Sequence, residues 1–380
     1  MTVQQHGCIS LHLSHDRPYI EIEIRTASGY IRKARFLVDT GGGALIFTEA
    51  LVQDLELPIE DELLTLFGKH IFRRFGPPRL FVGPCELDMT QVSALMAVGT
   101  CSLFPGEAVD GILPGFLLSR YCVLLDYSTG TFSLSPSCLT AMRGEPVPIS
   151  FHPLSGFPCV EVTIAGEQYG LLLDTAASCT MLSEAVVETW ARQFPAWPRA
   201  RCAVGTANMG APDEEHATMM RIPRMTVGSV LLRHVTVVSH PIRAFEMRRF
   251  DVLAAPIVGG LAGNVLKQFR IEIDYAHAMS YWEWCDESYP YDMDLVGLTL
   301  SLNADSTYRV AAISDCNYAC VRQSVCVGDR LLQVDGLRVT GLSLSRVVDA
   351  LRGSPGQRYT LLLEREGELR SVSVATARIV

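Results

Sequence analysis

Two acids in this chain close apolar strands and are followed by Thr and then by very small residues. They stand in Phe36-Leu37-Val38-Asp39-Thr40-Gly41-Gly42 and in Leu171-Leu172-Leu173-Asp174-Thr175-Ala176-Ala177. Taken singly, each phrase reads as a turn after a strand, because Asp, Thr and Gly are all good turn residues. Taken together they suggest a paired-carboxylate site. Like charges a few Å apart cannot both ionise, so one member keeps a proton and the pair holds a base and an acid around one water. That is equipment for activating water.

The elements that must position these acids repeat as well. Pro18-Tyr19-Ile20-Glu21-Ile22-Glu23-Ile24 and Pro158-Cys159-Val160-Glu161-Val162-Thr163-Ile164 alternate with period two, the mark of a half-buried strand. After each acid, Ile46-Phe47-Thr48-Glu49-Ala50-Leu51 matches Met181-Leu182-Ser183-Glu184-Ala185-Val186, with Thr48 and Ser183 in place to cap short helices. Pro78-Arg79-Leu80-Phe81-Val82-Gly83 then matches Pro223-Arg224-Met225-Thr226-Val227-Gly228. Each copy closes with an ungapped block, Gly111-Ile112-Leu113-Pro114-Gly115-Phe116-Leu117-Leu118 through Asp126-Tyr127, and Gly259-Gly260-Leu261-Ala262-Gly263-Asn264-Val265-Leu266 through Asp274-Tyr275. Landmarks in one order twice over indicate internal duplication of a mostly β unit.

This pattern, over about residues 15 to 285, resembles the retropepsin-like aspartic proteases with both lobes on one chain. In that family each lobe brings an Asp-Thr/Ser-Gly loop, a flap hairpin, and a pair of apolar residues before a Gly whose strand runs beneath the loop. The resemblance implies that Asp39 and Asp174 are the catalytic dyad of an aspartic endopeptidase acting on a polypeptide substrate without a cofactor. It implies that Thr40 and Thr175 reach across to the opposite loop, and that Gly41, Ala176 and Ser178 support the loops. Two departures stand out: Ala176 occupies the second glycine position, and Gly42-Gly43 follow the first signature where a small polar residue is common. A Cβ at a position needing positive φ costs about 1 kcal/mol. The competing expectation is therefore a catalytically degenerate peptide-binding or scaffolding protein that retains the fold. Flap candidates are the turn Leu66-Phe67-Gly68-Lys69-His70 and Val204-Gly205-Thr206-Ala207-Asn208-Met209-Gly210. Asp110, Asp126, Asp251 and Asp274 read as structural.

Beyond about residue 290 the pattern changes. Strands are expected at 297–302 and 308–313, a helix at 343–352, and strands at 359–363 and 371–375. With Gly328-Asp329-Arg330-Leu331-Leu332-Gln333-Val334-Asp335-Gly336, this stretch resembles a PDZ domain. The resemblance implies that Leu295, Val296, Gly297 and Leu298 form a loop whose amides receive the carboxylate of a protein C-terminus, with the peptide added as a strand. The expected fold is thus mainly β: a first acid-protease lobe over 1–145, a second over 146–289, and over 290–380 a PDZ-like β-sandwich with one or two short helices. With both acids on one chain, a monomer suffices.

Composition narrows the alternatives. A net charge of −9 and 48% apolar residues over 380 positions give a core-forming chain with no basic surface for nucleic acid or anionic membrane. No run of roughly 18 apolar residues suggests a membrane span. The first thirty residues lack the basic and apolar stretches of a secretion signal. Twelve cysteines without a C-x-x-C pair accordingly read as reduced thiols in the cytoplasm. Cys316, Cys320 and Cys326 lack the further ligands of a zinc set, so no metal is expected.

Overall fold

The computed structural model describes residues 6–66, 70–99, 108–137, 142–151, 157–201, 217–240, 255–285, 293–303, 305–316 and 319–380. The chain is mainly β, and its described residues form four sheets with a few short helices. Of the first flap candidate, 66–70, Leu66 and His70 pair across two antiparallel strands while 67–69 lie outside the described residues; the second, 204–210, lies wholly outside them, as do Asp251 and the 286–292 stretch where the last boundary is expected.

In the first segment the alternating residues form the strand Arg17–Arg25, which pairs antiparallel with Ile31–Asp39. The strand that ends in Asp39 runs parallel to Gly111–Pro114, with Pro114 opposite Asp39. In the second segment Pro158–Ile164 pairs antiparallel with Glu167–Leu173, which runs parallel to Ile257–Leu261, with Leu261 opposite Leu173. Both acid-bearing strand ends are therefore buried from two sides by the same arrangement of neighbours.

The caps fall where side-chain chemistry places them. Thr48 accepts the amide of Leu51 at the start of Glu49–Asp54, and Ser183 accepts that of Val186 at the start of Glu184–Gln193. The matched closing blocks each give a strand and then one short helical turn, Gly115–Leu118 and Gly263–Leu266. Asp126 accepts the amides of Ser128 and Thr129, and Asp274 that of His277, so both acids fold turns, as their positions before Tyr suggest.

The first two segments are sewn together. Cys122–Asp126 of the first pairs antiparallel with Phe269–Asp274 of the second, Cys122 opposite Asp274. One apolar core runs through both, joining Phe36, Phe47, Leu113 and Phe132 to Leu171, Trp190, Ile222, Phe269 and Trp282. The third segment has its own core around Tyr308, Val310, Leu331, Val347 and Leu361, beneath a six-stranded sheet. Its strands run Leu298–Leu302, Tyr308–Ile313, Arg330–Val334, Leu337–Arg338, Arg358–Arg365 and Glu368–Ala375, and helix Leu344–Ala350 starts from Ser343 as its cap.

Seven cysteines are free thiols among the described residues. Cys122 is disulfide-bonded. The expectation of reduced thiols throughout is corrected there: spacing along the chain did not show which cysteines the fold brings together. No helix among the described residues is long and apolar enough to cross a membrane.

Candidate active site

Asp39 is the last residue of its strand and Asp174 directly follows the last residue of the other, Leu173; each begins a loop of small residues, and the two loops face one another. A point where a Cβ on Gly41 would stand lies 3.3 Å from Asp174 Cγ, 3.5 Å from Asp174 Oδ1 and 3.5 Å from Asp39 Oδ1. The carboxylates thus converge on one small space. Both are partly exposed, while the threonines beneath them are sealed, at 0% for Thr40 and 1% for Thr175.

The threonines tie the loops together reciprocally. Thr40 Oγ1 donates to the carbonyl of Leu173 at 2.6 Å, and Thr175 Oγ1 donates to that of Val38 at 2.6 Å. In return each hydroxyl accepts the other threonine's amide, at 3.1 Å from Thr40 N and 3.2 Å from Thr175 N. Four buried hydrogen bonds each contribute only about 1 kcal/mol net, yet losing one partner strands the other at about 1–3 kcal/mol. The pairing therefore fixes the spacing of the two strand ends, and with it the spacing of the acids.

The small residues answer to space. A Cβ on Gly42 would stand 2.6 Å from Asp39 Oδ2 and 2.9 Å from its Cγ, so only glycine leaves room for that carboxylate. A Cβ on Gly115 would stand 2.0 Å from the Thr40 carbonyl oxygen; its absence lets the closing block pass directly beneath the first loop. Ala176 is not among the residues of positive φ, so its Cβ brings no left-handed strain. Its amide and that of Ala177 instead donate to Asp174 Oδ1, at 3.0 and 3.2 Å. Ser178 is buried beside them, and its carbonyl accepts the amide of Asn264 at 2.8 Å.

Two contributors carry no signal in the sequence pattern. Arg17, buried at the first-segment hairpin turn, donates from Nε to the Ala176 carbonyl at 2.7 Å, bracing the second loop from the opposite segment. Tyr275 has its hydroxyl enclosed, without a hydrogen-bond partner among the described residues. Burial first, and the charge of Asp39 second, push that phenol's pKa up, keeping it un-ionised. Tyr275 follows a repeated Asp, but its matching partner Tyr127 feels Asp16 instead, so the repeat alone could not have marked it.

The other expected site residues lie elsewhere. Leu295, Val296, Gly297 and Leu298 are buried; Leu295 pairs with Ala377, and the amide of Val296 donates to the Leu351 carbonyl at 3.1 Å. Among the described residues no group of three or more His, Cys, Asp or Glu side chains comes together as a metal site. No protein-family model matches the chain, and no curated protein matches it.

Proposed function

We propose that the chain is an aspartic endopeptidase whose dyad is Asp39 and Asp174, carried on two duplicated retropepsin-like lobes. The supporting observation is the convergence of the two carboxylates on one point, with the threonine pair fixing their separation. A water held between them loses a proton to the ionised acid as it attacks a peptide carbonyl, while the protonated acid donates to the carbonyl oxygen. The tetrahedral intermediate then collapses, with a proton passing to the departing nitrogen. The two acids titrate as one unit. No cofactor enters this scheme. The competing binder reading drew on the departures at Ala176 and Gly42-Gly43; the negative φ of Ala176 and the room that Gly42 leaves for the Asp39 carboxylate support the enzyme reading.

The third segment is read as a PDZ-like module. The residues that resemble a PDZ domain lie on strands and a helix sharing one core, which includes Leu298 and Leu300 of the edge strand and Leu344 and Val347 of the helix. A captured chain end there would raise substrate concentration at the neighbouring dyad. Cleavage of a denatured protein by the wild type, lost in Asp39→Asn, tests the central reading; full activity in that variant would sink it.

A further inference from the structure

In the first segment the surface after the acid is covered by the segment's own strands. Ala44 and Ile46 belong to a cluster with Phe72, Leu95 and Ala97, and Ala176 of the opposite loop packs on the same cluster. Ala44, Leu64 and Val109 stay partly exposed there, so this side of the dyad is partly open.

Cys179 and Met181 hold the matching places after Asp174. The ladders agree: Ile46 stands opposite Leu95 in one parallel pairing, and Met181 opposite Val238 in the other. This second place also adjoins the dyad. Asp174 Cβ and Met181 Cε lie 3.5 and 3.6 Å from the point where a Cβ on Gly260 would stand. Here, however, the space is filled. Ile379 and Val380 share one buried cluster with Ala177, Cys179, Met181, Met219 and Val238, and are only 5% and 3% exposed.

The filling residues are presented by the third segment and gripped by the second. Ala377 pairs with Leu295, Arg378 forms an ion pair with Asp294 at 3.1 Å, and the amide of Ile379 donates to the Met293 carbonyl at 2.9 Å. From the other side, Arg221 Nε donates to the backbone oxygen of Val380 at 2.9 Å. Asp315 adds a second fastening: its carboxylate accepts the amide of Arg201 at 2.6 Å, and its own amide donates to the Arg201 carbonyl at 3.2 Å.

We propose that Ala177, Cys179, Met181, Met219 and Val238 form a recognition pocket for a pair of branched aliphatic side chains, occupied here by the chain's own Ile379 and Val380. Thioether and thiol walls suit such an occupant, because they adapt to irregular apolar shapes. Its consequence for catalysis rests on the protease reading: an incoming polypeptide must displace residues 379 and 380 to fill that side of the cleft. An internal occupant competes at high effective concentration. If it leaves the pocket about one time in ten, apparent affinity for substrate falls about tenfold, with turnover of the bound complex unchanged.

The test uses a labelled peptide of residues 376–380, titrated by fluorescence anisotropy into the full-length wild type and into Ile379→Asp. The double variant Ile379→Ala/Val380→Ala, which introduces no charge, serves the same purpose should the first fail to fold. The peptide is expected to bind the folded variant about tenfold or more tighter than the wild type, and Cys179→Phe in the variant background should abolish that binding. In parallel the KM for an unstructured polypeptide should fall about tenfold with kcat unchanged. Equal binding to wild type and variant, or binding to neither, overturns the proposal. Tight binding to the variant without cleavage of any polypeptide upholds the pocket and defeats the protease reading instead.

Discussion

Around Asp39 the loop makes room by omission, and around Asp174 it makes contact by addition. Gly42 has no Cβ where the Asp39 carboxylate lies, and its amide turns back to the Asp39 carbonyl at 3.1 Å. Ala177, in the matching place, keeps its Cβ in a buried apolar cluster and spends its amide on the Asp174 carboxylate. The surfaces beyond differ in the same sense, since the first segment covers Ala44 and Ile46 from within while the second takes cover from residues of the third. Two segments with similar strand pairings can thus reach similar positions for their acids by different local means. The shared part is the threonine pair, which belongs to neither copy alone.

Each prediction presses on that comparison. Asp39→Asn and Asp174→Asn should each lower kcat/KM by at least about a thousandfold in polypeptide cleavage, since both members carry protons in the scheme; a large loss in one variant only would break the symmetry of roles. Gly42→Ala should cost about a hundredfold in kcat, because the new Cβ displaces the Asp39 carboxylate. Ala177→Gly should stay within a few-fold, as it leaves the amide donor in place. Equal losses would mean that the two loops hold their acids alike. Thr40→Val and Thr175→Val should each lower stability by about 1–3 kcal/mol in denaturant unfolding, and by similar amounts, because each strands one buried carbonyl and one buried amide.

The smallest effect concerns the hairpin turn that reaches from the first segment to the second loop. The pKa of His15 is lowered from 6.5 to about 3, chiefly by burial and next by the Arg17 charge, with Arg352 and Lys267 adding to it and Asp16 opposing. Its folded pKa lies below its unfolded one, so the unfolded chain binds the extra proton between those values. Stability is therefore unaffected above pH 6.5 and is lost progressively as the pH falls towards 3. His15→Gln should flatten that acid limb in thermal unfolding followed across pH, while leaving the midpoint near pH 7.5 within a few degrees.

What the sequence disclosed was local. Period-two alternation located Pro158–Ile164 to the residue, Thr48 and Ser183 announced their caps, and the repeated acids marked the ends of matching strands. The helix expected over 343–352 is shorter, Leu344–Ala350, because helix ends fray where periodicity gives no stop. Non-local facts were silent. Arg17 meets a carbonyl 159 positions away, Cys122 finds a disulfide partner, and Ile379 finds a pocket in another segment. None of these leaves a period or a spacing, since each depends on which surfaces the completed fold brings together. The absence of strain at Ala176 was equally hidden, because a residue's φ follows from the neighbours that enclose it.

The pairing of Cys122–Asp126 with Phe269–Asp274 also sets an order on synthesis. A nascent chain paused after the first segment carries one acid, half of a threonine pair and an open strand edge, and that edge is covered only once residues 269–274 have left the ribosome. On the protease proposal, the chain would thereby stay inert while it is itself unfolded polypeptide among other newborn chains. The same delay leaves that edge bare while residues 127–268 are made, an interval in which mispairing with another chain is a hazard.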